Sequence, residues 1–94
     1  MNLQELVGKI AADKNSKKLG KIIKIEKIQD QKTKIWKEKI LVLVHNILRK
    51  DVVILVDSEK LLIAEATYAL FDLEKEDFEQ EVRETRALMR LYKD

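Results

Sequence analysis

The sequence predicts a mainly β protein with a C-terminal α-helical part, built as a small antiparallel β-barrel followed by one or two helices. Short β-type runs separated by polar turns fill the first 56 residues. After Ser58, apolar residues recur at steps of three and four, which is typical of a helix. We therefore expect residues 1–57 to form the barrel and residues 58–94 to form a helical C-terminal extension.

The only two glycines, Gly8 and Gly20, lie in near-copies of one phrase at residues 6–10 and 18–22. Glycine weakens a strand unless the backbone must bend or another chain passes close to it. Both glycines are therefore predicted to be structural corners of a tightly curved barrel. Residues 6–28 then form two strands around a polar turn at 13–17. Imperfect alternation in the second strand indicates a bulge or partial cover on both faces.

Two further strands are predicted downstream. The first covers residues 35–44 and ends in five consecutive apolar residues, so both faces of its end should be covered. The second is the β-branched run at residues 52–56, which is bounded by charged residues.

A helix is predicted after Ser58, which would serve as its N-cap. One apolar seam runs at alternating steps of three and four: Leu61, Ala64, Tyr68, Phe71, Lys75, Phe78, Val82, Thr85, Met89 and Tyr92. A single helix over 59–92 would be about 50 Å long, longer than so small a barrel is wide. The alternatives are a break at 72–75, with Asp72 capping a second helix, or a strand at 61–64. The alanine-rich stretch at 64–70 favours helix.

Composition restricts the environment and the chemistry. The chain has no cysteine, which excludes disulfides and thiolate chemistry. Its apolar runs are far shorter than the roughly 20 residues that span a bilayer, and its first residues lack a signal-peptide profile, so we expect a cytoplasmic protein without a transmembrane segment. Charge is divided unevenly: residues 1–50 hold 13 Lys/Arg against 5 Asp/Glu, and residues 51–94 hold 6 against 12.

No catalytic residue, cofactor or metal site is predicted. His45 is the only histidine and has no second ligand at metal-binding spacing. Neither glycine belongs to a phosphate-binding loop. The carboxylates at 74–84 are mixed with Lys and Arg on a predicted helix, where solvated surface and helix-dipole effects explain them.

Three phrases together resemble the PRC-barrel domain family, including its stand-alone archaeal members. They are residues 6–9, residues 18–22 after an Asp-led turn, and residues 46–47 running into 51–55, so the resemblance covers about residues 3–56. It implies a non-catalytic adaptor that binds other proteins. Stand-alone archaeal members are linked to cell division, which the resemblance suggests as a setting for this chain.

Two surfaces are candidates for partner binding. An anionic partner would meet a lysine-rich surface made of Lys17, Lys18, Lys21, Lys24 and Lys27. A protein partner or a second copy in a homodimer would meet large apolar residues: Trp36, Phe71, Phe78, Val82, Met89 and Tyr92. The alternative function is an RNA- or ribosome-associated small-barrel module, because strongly basic small barrels bind nucleic-acid phosphates.

Overall fold

The computed structural model describes residues 2–92, so the outer ends of the predicted ranges 1–57 and 58–94 lie outside it. Six strands and one α-helix make up the fold, with 3₁₀ turns at Leu3–Leu6 and Ser58–Lys60. The elements are β1 (Ile10–Ala12), β2 (Lys18–Gln29), β3 (Trp36–Asn46), β4 (Arg49–Asp57), β5 (Leu61–Ala64), β6 (Tyr68–Phe71) and α1 (Lys75–Leu91).

The strands form one sheet in the order β4-β3-β2-β1-β6-β5. All neighbouring pairs are antiparallel except β1 and β6, which run parallel. The two edge strands, β4 and β5, are consecutive in the chain and joined by only the Ser58–Lys60 turn. Because so short a link brings the two edges together at one end, the sheet must curl into a barrel. This confirms the predicted fold class of a mainly β, barrel-type domain followed by a helix.

A bulge lies where the sequence alternation of β2 fails. The pairing of β2 with β3 shifts register between Ile22 and Lys24, which leaves Ile23 unpaired. One extra residue on one strand is the definition of a β-bulge, and it increases local twist. The predicted bulge is therefore present in the second strand.

The two glycines are required for different reasons. Gly8 has φ +96, a conformation that L side chains rarely adopt, and it lies between the first 3₁₀ turn and β1. Gly20 lies inside β2, where a Cβ would overlap the Leu43 carbonyl oxygen and lie 2.8 Å from Val42 Cγ1. Gly20 thus allows β2 and β3 to approach closely.

The core consists of the inward-facing residues of the sheet and one face of α1. Along β4, Val52, Ile54 and Val56 are buried and alternate with exposed residues. Phe78 and Val82 of α1 complete the same cluster, since the helix packs on β4 and β2. Along β3, Ile40 and Val42 are fully enclosed and Leu41, Leu43 and Val44 are half-buried, so the second face of the 40–44 run is covered only in part.

Two secondary-structure predictions are corrected by the structure. The first predicted strand, expected from Leu6 to the turn at 13–17, is shorter in the structure: Leu6 ends the Leu3–Leu6 3₁₀ turn, and β1 covers only Ile10–Ala12. The predicted helix from residue 59 does not start until Lys75, because Leu61–Ala64 and Tyr68–Phe71 are strands. Of the alternatives for this region, the strand at 61–64 is observed, and a helix does begin within the 72–75 segment, although its N-cap is Glu74 and not Asp72. The sheet therefore extends to Phe71, beyond the predicted end of the barrel at residue 57.

The N-terminus of α1 is capped from a distant turn. Its N-cap residue, Glu74, makes no side-chain capping bond, and the predicted cap Asp72 precedes it. Instead, Asp13 Oδ2 accepts a hydrogen bond from the Lys75 backbone N–H at 3.1 Å. Asp13 Oδ1 accepts from the backbone N–H groups of Asn15 and Lys17 at 2.9 and 2.8 Å. One carboxylate thereby fixes the β1–β2 turn and the start of the helix.

The protonation of Asp13 follows from this geometry. Burial alone would raise the pKa of the Asp13 carboxyl, because the side chain is fully enclosed. The three backbone N–H donors from Lys17, Asn15 and Lys75 outweigh burial and hold the pKa below its ordinary value. The carboxylate is therefore ionised at neutral pH.

Candidate functional site

A groove of about 650 Å³ lies between α1 and the β2–β3 part of the sheet. Five basic side chains line it: Lys18, Lys21, Lys75, Arg83 and Arg86. Glu79 is the one carboxylate among the lining residues. The groove therefore presents a strong excess of positive charge.

Both walls of the groove follow from local sequence. On the sheet wall, Lys18 and Lys21 are exposed while Leu19 and Gly20 between them are buried. On the helix wall, Phe78 and Val82 face the core, and Arg83 and Arg86 flank this apolar stripe. Eleven residues separate Lys75 from Arg86, which is close to three helical turns and places both on one side of α1.

A second cavity of about 270 Å³ continues the basic surface. It lies where the last turns of α1 meet the start of β4 and is lined by Arg49, Lys50, Arg86, Met89 and Arg90. Arg86 belongs to both cavities, and its Nε and Nη2 atoms each donate to the Lys50 carbonyl oxygen at 3.4 Å. That contact orients the guanidinium and joins the two cavities.

We call the combined surface the basic groove. Its cations are Lys18, Lys21, Arg49, Lys50, Lys75, Arg83, Arg86 and Arg90. Within residues 2–92, none of these cations forms an ion pair with a carboxylate. Their charge is therefore available to an external anion.

The acidic start of α1 is neutralised elsewhere. Lys14 Nζ lies 2.9 Å from Glu74 Oε1, and this hydrogen-bonded contact raises the pKa of Lys14. Lys17 Nζ lies 3.8 Å from Glu76 Oε1. Lysines of the β1–β2 turn thus pair with the acidic end of the helix, and its basic end lies along the groove.

The five lysines predicted to meet an anionic partner are separated by the fold. Only Lys18 and Lys21 line the basic groove. Lys17 pairs with Glu76, and Lys24 pairs with Glu26 on its own strand at 2.8 Å. Lys27 lines a separate cavity of about 370 Å³ beside Trp36, at the far end of the β2–β3 ladder.

The six predicted interface residues also separate into two groups. Phe71, Phe78 and Val82 are buried in the core of their own chain, and Phe78 and Val82 also line the groove. Trp36, Met89 and Tyr92 are exposed, with 62% of the Trp36 surface accessible. A partner or dimer contact through these three residues stays a prediction.

His45 lies at the end of β3 and lines the groove. Its Nδ1 atom is 2.7 Å from Asp51 Oδ1, across the hairpin that joins β3 to β4. Over the part of the chain that the structure describes, no group of His, Asp and Glu has the arrangement to hold a metal ion. No helix in that part is long and apolar enough to cross a membrane.

The sites predicted from the sequence include neither the arginines of α1, which the sequence explains by the helix dipole, nor the second cavity. Arg83, Arg86 and Arg90 recur at steps of three and four, a visible signal for one basic helix face. Arg49 and Lys50 read as strand-flanking charges. Nothing in the sequence indicates that the arginines of α1 lie near Arg49 and Lys50, because only the packing of α1 on β4 brings them together.

The chain shares its fold with a solved protein structure. No protein-family model matches the chain, and no curated protein matches it by sequence. In fold it is similar to the crystal structure of RimM, described as a 16S ribosomal RNA processing protein, from Pseudomonas aeruginosa, with a TM-score of 0.53 and 12% sequence identity.

The similarity to RimM covers 81% of this chain but 45% of the RimM chain. At this identity it establishes a shared fold, which for RimM is of the PRC-barrel type, and it leaves function open. The fold expected from the three sequence phrases is therefore supported by the structure.

Proposed function

We propose that this chain is an RNA- or ribosome-associated small-barrel module that holds a nucleic-acid phosphate backbone in its basic groove. The observation that carries the proposal is the concentration of eight Lys and Arg side chains along one groove, without ion-pair partners among the described residues. Such a surface releases condensed counterions when it binds a polyanion, and that release drives binding.

The shape of the groove adds to its charge. Cations lie on both walls, with Lys18 and Lys21 from the sheet opposite Arg83 and Arg86 from the helix. A backbone in the groove is therefore contacted from two sides. Arginine suits this role because its planar guanidinium donates two parallel hydrogen bonds to one phosphate.

The fold relative favours RNA as the polyanion. RimM is described as a 16S ribosomal RNA processing protein, and this chain shares its fold. That likeness makes an RNA- or ribosome-linked role a better supported proposal than the adaptor role in archaeal cell division. The cell-division setting and the homodimer stay predictions, and the proposed role requires no catalysis by this chain.

Salt-dependent binding to a mixed-sequence single-stranded RNA tests the proposal. The slope of log K against log salt is negative, and its magnitude should decrease by about 0.7 for each phosphate contact removed. The double variant Lys21→Ala/Arg83→Ala should therefore reduce the magnitude of the slope by roughly 1.4 relative to the unaltered protein.

The matched control is Lys32→Ala/Lys60→Ala, which removes the same charge from exposed positions outside the groove. Its slope should equal that of the unaltered protein. Absence of RNA retention at low salt would refute the proposal, as would an equal loss of slope in both double variants.

A further inference from the structure

The hairpin that joins β3 to β4 ends in two aliphatic side chains with no packing partner. Ile47 and Leu48 form its two-residue tip and are 87% and 88% exposed. Hairpin tips are ordinarily built from Gly, Asn, Asp or Ser, whose side chains satisfy the local backbone. Here Asn46 Oδ1 takes that role by accepting from the Leu48 backbone N–H at 2.9 Å, so the turn does not depend on the side chains of Ile47 and Leu48.

Cations surround the base of this tip. Arg49 and Lys50 follow it directly, and Arg86 and Arg90 of α1 line the same cavity as those two residues. Met89, which is 40% exposed, adds an apolar side chain from the helix to that cavity. The nearest carboxylate in sequence, Asp51, is hydrogen-bonded to His45.

We infer that this end of the molecule, the hairpin tip with its flanking cations, docks on the surface of a bilayer that contains anionic lipids. In this arrangement Ile47 and Leu48 enter the boundary between headgroups and acyl chains, and the four cations contact the headgroups. Apolar insertion combined with electrostatic attraction to anionic lipids is the physical basis of interfacial membrane binding.

A bilayer fits the hairpin tip better than RNA does, because the tip side chains that lack a partner are aliphatic. A phosphate backbone gives Ile47 and Leu48 nothing to bury against, whereas the headgroup boundary accepts them without any matching pocket. The cations at the base match the negative surface potential of such a bilayer. The inference goes beyond the proposed function and does not depend on it.

Vesicle co-sedimentation tests the inference. The full chain is mixed at low salt with vesicles of phosphatidylcholine alone or of phosphatidylcholine with phosphatidylserine. Each cation near an anionic surface raises binding by roughly fivefold, so four cations predict a preference of several hundredfold for the anionic vesicles. Absence of retention on anionic vesicles overturns the inference, and this arm requires no variant.

Two matched double variants identify the docking element. Ile47→Ser/Leu48→Ser should reduce retention on anionic vesicles by at least roughly tenfold, since both aliphatic side chains lose their burial. Leu62→Ser/Ile63→Ser removes an equally apolar exposed pair from β5, which follows the opposite end of β4, and should bind like the unaltered protein. Equal retention of both variants overturns the inference.

Two further measurements on the same variants distinguish a lipid surface from the other possible partners of the tip. If light scattering shows that only the tip variant changes the molecular mass of the protein in solution, the tip binds a second copy of the chain and the inference fails. RNA binding measured on Ile47→Ser/Leu48→Ser should match that of the unaltered protein, because the groove cations are unchanged. A loss of RNA binding in this variant would assign the tip to the RNA surface and would also overturn the inference.

Discussion

Replacing Gly20 with alanine should destabilise the protein because β2 and β3 pass each other without room for a Cβ. The new methyl carbon would overlap the Leu43 carbonyl oxygen and lie 2.8 Å from Val42 Cγ1. A backbone oxygen in a ladder cannot move without displacing its strand. Overpacking of this kind costs about 1–3 kcal/mol.

A smaller effect acts in the opposite direction. Gly→Ala restricts the unfolded chain and stabilises a compatible site by about 0.4–1 kcal/mol. The net expectation for Gly20→Ala is a loss of about 1–2 kcal/mol, which corresponds to a decrease in Tm of roughly 4–16 °C for a domain of this size. Thermal unfolding followed by circular dichroism, with urea unfolding beside it, measures both quantities.

A double-mutant cycle tests the steric reason itself. Val42→Ala removes one of the two overlapping groups, so Gly20→Ala/Val42→Ala should be about 0.5–1 kcal/mol more stable than the sum of the single effects predicts. Gly8→Ala is the control, since it meets nothing within 4 Å and its cost of about 1–2 kcal/mol arises from φ +96 alone. Gly8→Ala and Val42→Ala should be additive. Additivity in both pairs, or an unchanged Tm for Gly20→Ala, would refute the reasoning.

Three further predictions concern the rest of the fold. Asp13→Asn should lower the free energy of unfolding at neutral pH and make it less dependent on pH in the acid range. The pKa of Asp13 is depressed in the folded protein, so the stabilisation by this carboxylate is present above about pH 4 and is lost as the pH falls through the folded pKa. Urea unfolding at a series of pH values measures this effect. Phe78→Ala should lower the free energy of unfolding by about 3–5 kcal/mol and detach α1 from the sheet. On heating, the helical circular dichroism signal should then be lost before the main unfolding transition. A single transition at an unchanged temperature would contradict this expectation. A chain ending at Asp57 should fail to fold, because β1 loses its parallel partner β6; a cooperative thermal transition would show that the barrel does not need it.

The part of the fold that follows from local sequence is the β2–β3–β4 meander. β-branched runs separated by polar turns specify these strands, and the failure of alternation around Ile23 marks the bulge. Strand limits differ from the predicted ones by only a few residues at each end. Neighbouring segments pair here, so the information lies close together in the sequence.

The helix predicted over Leu61 to Phe71 is wrong, because the local sequence pattern fits a helix whereas the segment forms β5 and β6. Leu61, Ala64, Tyr68 and Phe71 recur at steps of three and four, and alanine favours helix. Pairing with β1 decides the outcome: Ala69 lies opposite Ala11 in the parallel ladder, and both are fully buried. The two alanines are far apart in the sequence, so no local pattern indicates that they pair.

The candidate site depends even more on long-range packing. The sequence identifies a basic first half and an acidic second half, and from that contrast the lysines of β2 stand out as the anion-binding set. The fold redistributes these charges, because Lys14 and Lys17 pair with the acidic first turn of α1. Arg83 and Arg86 in its later turns then line the same groove as Lys18 and Lys21.

Asp13 links this charge arrangement to the fold. Its carboxylate ties the β1–β2 turn to the backbone of Lys75, so the turn lysines and the helix start are held in one position. With its start fixed there and Phe78 buried in the core, α1 must run along the sheet with its last turns at the start of β4. The groove is thus a consequence of where the helix begins. A change that releases the helix start should weaken anion binding without removing any cation from the groove, and Asp13→Asn, compared with the unaltered protein in the RNA salt titration, measures that coupling. An unchanged salt slope and affinity in a folded Asp13→Asn protein would show that core packing alone positions the groove.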